Sequence, residues 1–269
     1  HFVGKYEQVT SADLVIAEST YGDKPDIKTG EKERKNDLDK FKSIVDTQVK
    51  EMNGRVVIPC FAQSRIQALS LMLHRMYINS EWKPKVYIDS PLAIKIFKDY
   101  EEELTEEDKE LFDEMIKDSM FVFVKDSEQS KSIVSSNESC VILSTSGMCM
   151  SGRIRHHLKR CVPDPNSTIL FVGFSTEGSL ASLLRDPKRE YVTIDQKNYV
   201  CRCSSYSLKS MSGHAPFEQL VENYTSINCN KIILHHGSNL AKEILKKKLE
   251  EKFSENCKST RVAISNTSL

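Results

Sequence analysis

Residues 55–89 read RVVIPCFAQSRIQALSLMLHRMYINSEWKPKVYID. The two ends, 55–59 and 85–89, are short and nearly unbroken apolar runs of the kind found in strands buried on both faces. Between them, residues 66–77 carry apolar side chains at helical spacing. Strand, helix and strand in this order argue for parallel pairing through a crossover helix rather than for a hairpin. Upstream, the run DLVIA at 13–17 is another buried strand, opening into Glu18-Ser19-Thr20-Tyr21-Gly22. Residues 31–53 follow as one long amphipathic helix, with Leu38, Phe41, Ile44, Val45, Val49 and Met52 on its inner face and Gly54 as its stop. Downstream, the acidic stretch 100–118 reads as a solvated surface helix. Apolar runs at 121–124, 141–144 and 168–172, linked by helical segments at 152–160 and 178–184, complete a doubly wound, mostly parallel α/β sheet of five or six strands.

After Pro187 the pattern changes. Residues 191–194 and 199–203 read as antiparallel strands, and the turn Ser212-Gly213-His214-Ala215 leads into a helix over 216–224. A buried strand at 231–234 ends in His235-His236-Gly237, and a helix over 240–253 and a strand over 261–265 follow.

Composition narrows the classes. Lys plus Arg (38) equals Asp plus Glu (38), so the formal net charge is zero and a polyanion must be held by a local groove, not by a global field. With 39% hydrophobic and 28% charged residues the chain is globular, and its longest apolar runs fall far short of the ~20 residues of a membrane helix. The eight cysteines include no Cys-x-x-Cys pair, which favours reduced thiols. Cys201 and Cys203, two apart, share one face of a strand in this reading, as core residues.

Polar residues at strand ends are where an open α/β sheet collects ligands. Glu18, the loop Ser146-Gly147-Met148 with Arg153, and His236 lie at or just beyond such ends, and His214 sits in a small-residue turn. Each taken singly has a plain alternative: Glu18 a strand-end cap, His214 a packed ring, and only one of His235 and His236 facing a ligand because strand side chains alternate. His74, His156 and His157 read as structural or surface residues. The small residues 144–147 could cradle a phosphate with backbone amides, but neither a P-loop nor Gly-x-Gly-x-x-Gly is present.

Together these segments resemble the metallo-β-lactamase/β-CASP family of nucleic-acid-processing hydrolases. The matching strings run in family order: residues 12–22, PCFAQSRIQ at 59–67, YIDSPLA at 87–93, residues 144–153 with His157-Leu158, FVGFSTEG at 171–178 with Leu180, Ser212 to Ala215, and His236-Gly237. The resemblance implies a β-CASP sheet inserted into an αββα metallo-β-lactamase sandwich of which the closing part is present, with boundaries at 1–22, 23–207 and 208–269. It implies that Glu18 orients His214, that His214 protonates the leaving group, that His236 binds one of two zinc ions, and that Ser146, Gly147, Met148 and Arg153 contact substrate. An imidazole with its ordinary pKa of ~6.5 gives a proton near neutrality, and a carboxylate beside it fixes its tautomer and favours its charge.

The implied reaction is zinc-dependent phosphodiester hydrolysis of RNA, with two metals ~3.5–4 Å apart. RNA is the implied partner, with a homodimer or processing-complex subunits as protein partners, no membrane, and a cytoplasmic location, or a nuclear one for a eukaryotic 3′-end factor. The family's His-x-His-x-Asp-His string does not occur in the chain. The expectation is therefore a C-terminal portion with an incomplete zinc site, inactive by itself. Ser64 stands where the family pattern has glycine before Arg65, and Pro216, suited to a first helical position, follows the His-Ala turn. Two rivals stand beside this reading: a noncatalytic scaffold subunit, and a hydrolase of small phosphodiesters or DNA ends.

Overall fold

The runs at 55–59 and 85–89 are strands of one sheet. The computed structural model describes residues 8–28, 30–102, 104–256 and 258–265. Its described residues divide into two units, one within 35–208 and the other within 8–34 and 209–265. Strand β1 (Ser11–Glu18) belongs to the second unit. Helix α1 (Glu31–Val45) starts there and runs into the first.

In the Lys35–Leu208 unit, β2 (Arg55–Pro59), β3 (Val86–Asp89), β4 (Phe121–Phe123), β5 (Cys140–Ser144), β6 (Ser167–Phe171) and β9 (Ser204–Ser207) form a six-stranded sheet of order β4-β3-β5-β2-β6-β9. Every pair in it is parallel. Strands β2, β3, β5 and β6 are buried along their whole length, which is why they read as unbroken apolar runs. Crossovers are made by α2 (Arg65–Tyr77), α3 (Pro91–Glu102), α4 (Glu106–Lys117), α5 (Ser127–Ser135), α6 (Ile154–Cys161) and α7 (Leu180–Leu184). One part of the core gathers Val57, Ile142, Ile154, Leu158, Ile169, Phe171 and Leu180. Strands β7 (Tyr191–Ile194) and β8 (Lys197–Val200) make the expected antiparallel hairpin.

Several elements differ from the sequence reading. The long helix is α-helical only to Val45; Asp46–Glu51 is a π-helical turn, in which buried Gln48 binds the Asn166 carbonyl (2.7 Å) and Thr168 Oγ1 (2.6 Å). The stretch 100–118, expected as one surface helix, is split between the end of α3 and α4, because Thr105 caps α4 by accepting from the Asp108 amide at 3.3 Å. Cys201 and Cys203 lie between β8 and β9 rather than on one strand, although both pack against the core as expected. The seven described cysteines are free thiols, and Cys257 lies outside the described residues. Pro216 is the N-cap of α8 (Phe217–Ser226), not its first helical residue.

In the other unit, β1, β10 (Asn228–His235) and β11 (Arg261–Ile264) form a parallel sheet of order β1-β10-β11. Helices α8 and α9 (Asn239–Glu255) supply Phe217, Leu220, Leu245, Leu249 and Phe253 to a core with Ala17, Ile232, Leu234 and Val262. On the alternate positions of β1, Leu14 and Ile16 are exposed. Among the described residues no helix is long and apolar enough to cross a membrane.

Candidate active site

Three chain segments meet at the end of the β1–β10 pair. Strand β1 delivers Glu18, which stands opposite His235 in the parallel register. The next residue ties β1 to the end of β10: the Ser19 amide donates to the His236 carbonyl (3.1 Å), and Ser19 Oγ donates to the His235 carbonyl (2.8 Å). Gly237 makes this crossing possible, since a Cβ there would lie 2.7 Å from both Ser19 O and Ser19 Oγ. His236 itself bends out of the strand with φ of 50°, a left-handed conformation that histidine tolerates better than most residues. The third segment is the turn before α8. Tyr21 Oη donates to Ser212 Oγ (2.9 Å), which accepts the His214 amide (3.2 Å), while Tyr224 Oη donates to the Glu18 carbonyl (2.9 Å).

The side chains then converge. One ligand-type atom from each of Glu18, His214 and His236 lies within 4.8 Å of the others. The two imidazoles stack, with centroids 5.1 Å apart and planes inclined by 29°, and Tyr21 meets His214 edge-on at 6.1 Å. Glu18 Oε2 accepts the Thr20 amide at 2.7 Å, Oε1 accepts the Ala215 amide at 3.3 Å, and Oε1 lies 3.6 Å from His214 Nδ1. Burial disfavours the Glu18 carboxylate, but His214 and the Thr20 amide and hydroxyl outweigh it and hold its pKa below the ordinary glutamate value. Thr20, which sequence reasoning did not single out, is buried with its Oγ1 3.2 Å from His214 Nδ1 and 3.0 Å from His236 Nδ1. A hydroxyl at a strand end carries no signal in the sequence alone.

Two imidazoles and a carboxylate are donor types that zinc accepts. The surroundings separate their roles, however: both Glu18 oxygens already accept backbone amides, and both Nδ1 atoms face Thr20. An imidazole whose Nδ1 is held by a hydrogen bond is suited to bind a metal through Nε2, which fits His236. His235 points elsewhere, with Nδ1 3.0 Å from Ser265 Oγ.

Ser146, Gly147, Met148 and Arg153 belong to the Lys35–Leu208 unit, along one loop after β5. The loop is closed by the Ser146 amide donating to the Ser151 carbonyl (3.2 Å) and by the Ala181 amide donating to the Met148 carbonyl (3.2 Å). Gly152, at φ of 81°, lets the loop turn, since a Cβ would fall 2.4 Å from the Thr145 carbonyl. Gly147 packs against the ring of Phe61. Arg153 reaches inward, with Nη1 donating to Asp89 Oδ1 at 2.7 Å. Asp89 Oδ2 is shared by His157 Nε2 (2.7 Å) and Ser130 Oγ (2.6 Å), so His157 is a structural residue. Buried His74 likewise faces Asp118, 3.1 Å away, and His156 is exposed.

Comparison with known proteins agrees with this architecture. Residues 66–184 match the Beta-Casp domain, and residues 199–259 match the Zn-dependent metallo-hydrolase RNA specificity domain. The chain is 29% identical over 242 residues to the transcription termination factor FttA of Methanocaldococcus jannaschii, covering 86% of this chain and 38% of that protein. It is 30% identical over 220 residues to ribonuclease TTHA0252 of Thermus thermophilus, covering 78% and 48%. It is 31% identical over 246 residues to endoribonuclease ysh1 of Schizosaccharomyces pombe, covering 90% and 31%. The chain thus spans about a third to about a half of the length of these relatives. With both domains present in this order, it belongs to the metallo-β-lactamase/β-CASP family.

Proposed function

We propose that this chain carries the acid side of a zinc-dependent RNA phosphodiester hydrolase. The observation that supports it is the convergence of Glu18, His214 and His236, drawn from positions about two hundred residues apart. In this reading protonated His214 gives its proton to the departing oxygen, and Glu18, held ionised, stabilises the charged ring and fixes its orientation. His236 holds zinc through Nε2. When bound, zinc supplies Lewis-acid charge at the scissile phosphate. Ser146, Gly147, Met148 and Arg153 are proposed to border the substrate, and the units 1–22, 23–207 and 208–269 to be the family's segments. RNA as substrate is supported by the RNA specificity domain and by relatives named ribonuclease and endoribonuclease.

His236 is the one zinc ligand this assignment finds among the described residues, so the 269-residue chain alone is expected to leave RNA uncut. The reading puts the protein in the cytoplasm, or in the nucleus for a eukaryotic 3′-end factor, with a second copy or processing-complex subunits as partners. The test is cleavage of single-stranded RNA, single-stranded DNA and cyclic dinucleotides by a zinc-loaded protein that joins this chain to a His-x-His-x-Asp-His segment. RNA cleavage that falls by about 10²–10⁴-fold in kcat on His214→Ala, with RNA affinity kept, is expected. Uncut RNA, or an unchanged kcat in the variant, refutes the proposal.

A further inference from the structure

We propose that Thr20 is the positioning residue for both histidines, its single hydroxyl setting the tautomer of His214 and of His236 together. This rests on the function proposed above only for its consequence; the tautomers themselves follow from hydrogen-bond counting. Thr20 Oγ1 lies 3.0 Å from His236 Nδ1, 3.2 Å from His214 Nδ1 and 3.2 Å from the His236 carbonyl oxygen, and its hydroxyl also faces the Glu18 carboxylate. A hydroxyl has one proton to give and two lone pairs to fill. The carbonyl and the carboxylate can only accept, so the hydroxyl proton goes to one of these oxygens. Both lone pairs are then left for N–H donors, and the two imidazoles are the groups that face them. If the proton went to a ring nitrogen instead, the hydroxyl oxygen would face acceptor oxygens alone on its other side, with no hydrogen between them. Each neutral ring therefore carries its proton on Nδ1 and not on Nε2.

The hydroxyl has little freedom to choose otherwise. Thr20 is 3% exposed, and its own amide is pinned to Glu18 Oε2 at 2.7 Å. The preceding residue is tied to the carbonyls of both His235 and His236. The consequence for the proposed chemistry is specific. His236 presents Nε2 to a metal without first losing a proton from it, and His214, once charged, adds its second proton on Nε2, the nitrogen turned from Glu18 and Thr20. Glu18 backs only one of the two rings, at 3.6 Å from His214 Nδ1, whereas Thr20 serves both.

The experiment uses the 269-residue chain, labelled with ¹⁵N-histidine, free of zinc and RNA, at about pH 8.5, where an ordinary imidazole is neutral. Two-bond ¹H–¹⁵N correlations read the tautomer of each ring, assigned with His214→Ala and His236→Ala. For the wild type, Nδ1 of both residues is expected at a pyrrole-type shift and Nε2 at a pyridine-type shift. Thr20→Val, which keeps the shape, is expected to move His236 out of this pattern and to leave His214 partly in it through Glu18. Thr20→Ser, which restores the hydroxyl but not the methyl, is expected to return both rings. Packing alone predicts the opposite ranking of the two variants. A wild-type spectrum with the proton on Nε2 of either ring overturns the proposal even if Thr20→Val fails to fold, and so does a folded Thr20→Val with unchanged shifts. None of these outcomes depends on RNA cleavage, so loss of the nuclease reading leaves this test standing.

Discussion

Replacing Asp89 by asparagine removes one charge from the end of β3 and leaves its shape. The carboxylate is fully buried and receives three donors: Arg153 Nη1 at 2.7 Å, His157 Nε2 at 2.7 Å and Ser130 Oγ at 2.6 Å. An amide offers one oxygen and one NH₂ group in their place. With its NH₂ toward Arg153 two donors meet; turned the other way it keeps Arg153 only if His157 Nε2 and Ser130 Oγ both become acceptors, and in either case the charge opposite Arg153 is lost. Hydrogen bonds to a charged group contribute about 1.5–3 kcal/mol each, and breaking a buried ion pair costs about 3–5 kcal/mol. Arg153 keeps 20% of its side chain in solvent and recovers part of that from water, which places the expected loss near the lower limit. A loss of about 3 kcal/mol is a roughly 150-fold fall in the folded-to-unfolded ratio.

The chain's one tryptophan reports it, since Trp82 packs edge-on against Tyr77 at 5.8 Å in the same unit. The urea midpoint read from Trp82 fluorescence should fall by about 1–1.5 M with an unchanged slope. Burial works against the Asp89 carboxylate, but His157, Ser130 and Arg153 outweigh it and lower its pKa. The unfolded chain then binds more protons than the folded one at acid pH, so this stabilisation is complete above about pH 4 and drains as pH falls through the depressed value. The Asp89→Asn protein has no such contribution to lose, and the gap between wild type and variant should close on acidification. A midpoint shift worth less than about 1 kcal/mol, or a gap that does not narrow below about pH 4, refutes the reasoning.

Two further substitutions test the backbone. Gly237→Ala places a Cβ 2.7 Å from Ser19 O and Ser19 Oγ, and should destabilise its unit by about 1–3 kcal/mol. Hydrogen exchange at the Ser19 amide, which donates to the His236 carbonyl, should quicken accordingly; unchanged protection contradicts the close approach. Ser64 holds φ of 61° and ψ of −39° before α2, with no side-chain capping bond to compensate. Ser64→Gly relieves that conformation at some entropic cost, and should raise the unfolding free energy read from Trp82 in urea by about 0.5–1 kcal/mol.

Strand β2 was readable because both its faces are buried, so every side chain had to be apolar or enclosed. Strand β9 was not, because Ser204–Ser207 lies at the sheet edge beside β6, half in solvent, where polar residues suffice. Helix α5 escaped for a related reason: it buries only Ser130 and Ile133, and its start is marked by Asp126 accepting the Gln129 amide at 2.9 Å, a capping signal rather than a periodic one. Ser64 is the reverse case. The family resemblance expects glycine there, and the positive φ supplies the physical reason for that expectation.

The site divides along the same line. Glu18, His214 and His236 could be picked out because motifs in a fixed order mark them, and folding places their ligand-type atoms within 4.8 Å. The contacts that hold them there are invisible to pattern. Ser19, Thr20 and Gly237 are small residues whose effect exists only once β1 lies parallel to β10. The arrangement is organised in two stages. Hydrogen bonds from Ser19 to the carbonyls of residues 235 and 236, and from Tyr224 Oη to the Glu18 carbonyl, hold the segments together without using a carboxylate or an imidazole. Thr20 then joins the two rings through one oxygen. Because the two rings share that oxygen, a shift of one is expected to carry the other with it. Nδ1 of His236 thus has its partner in the short segment that follows the strand carrying Glu18.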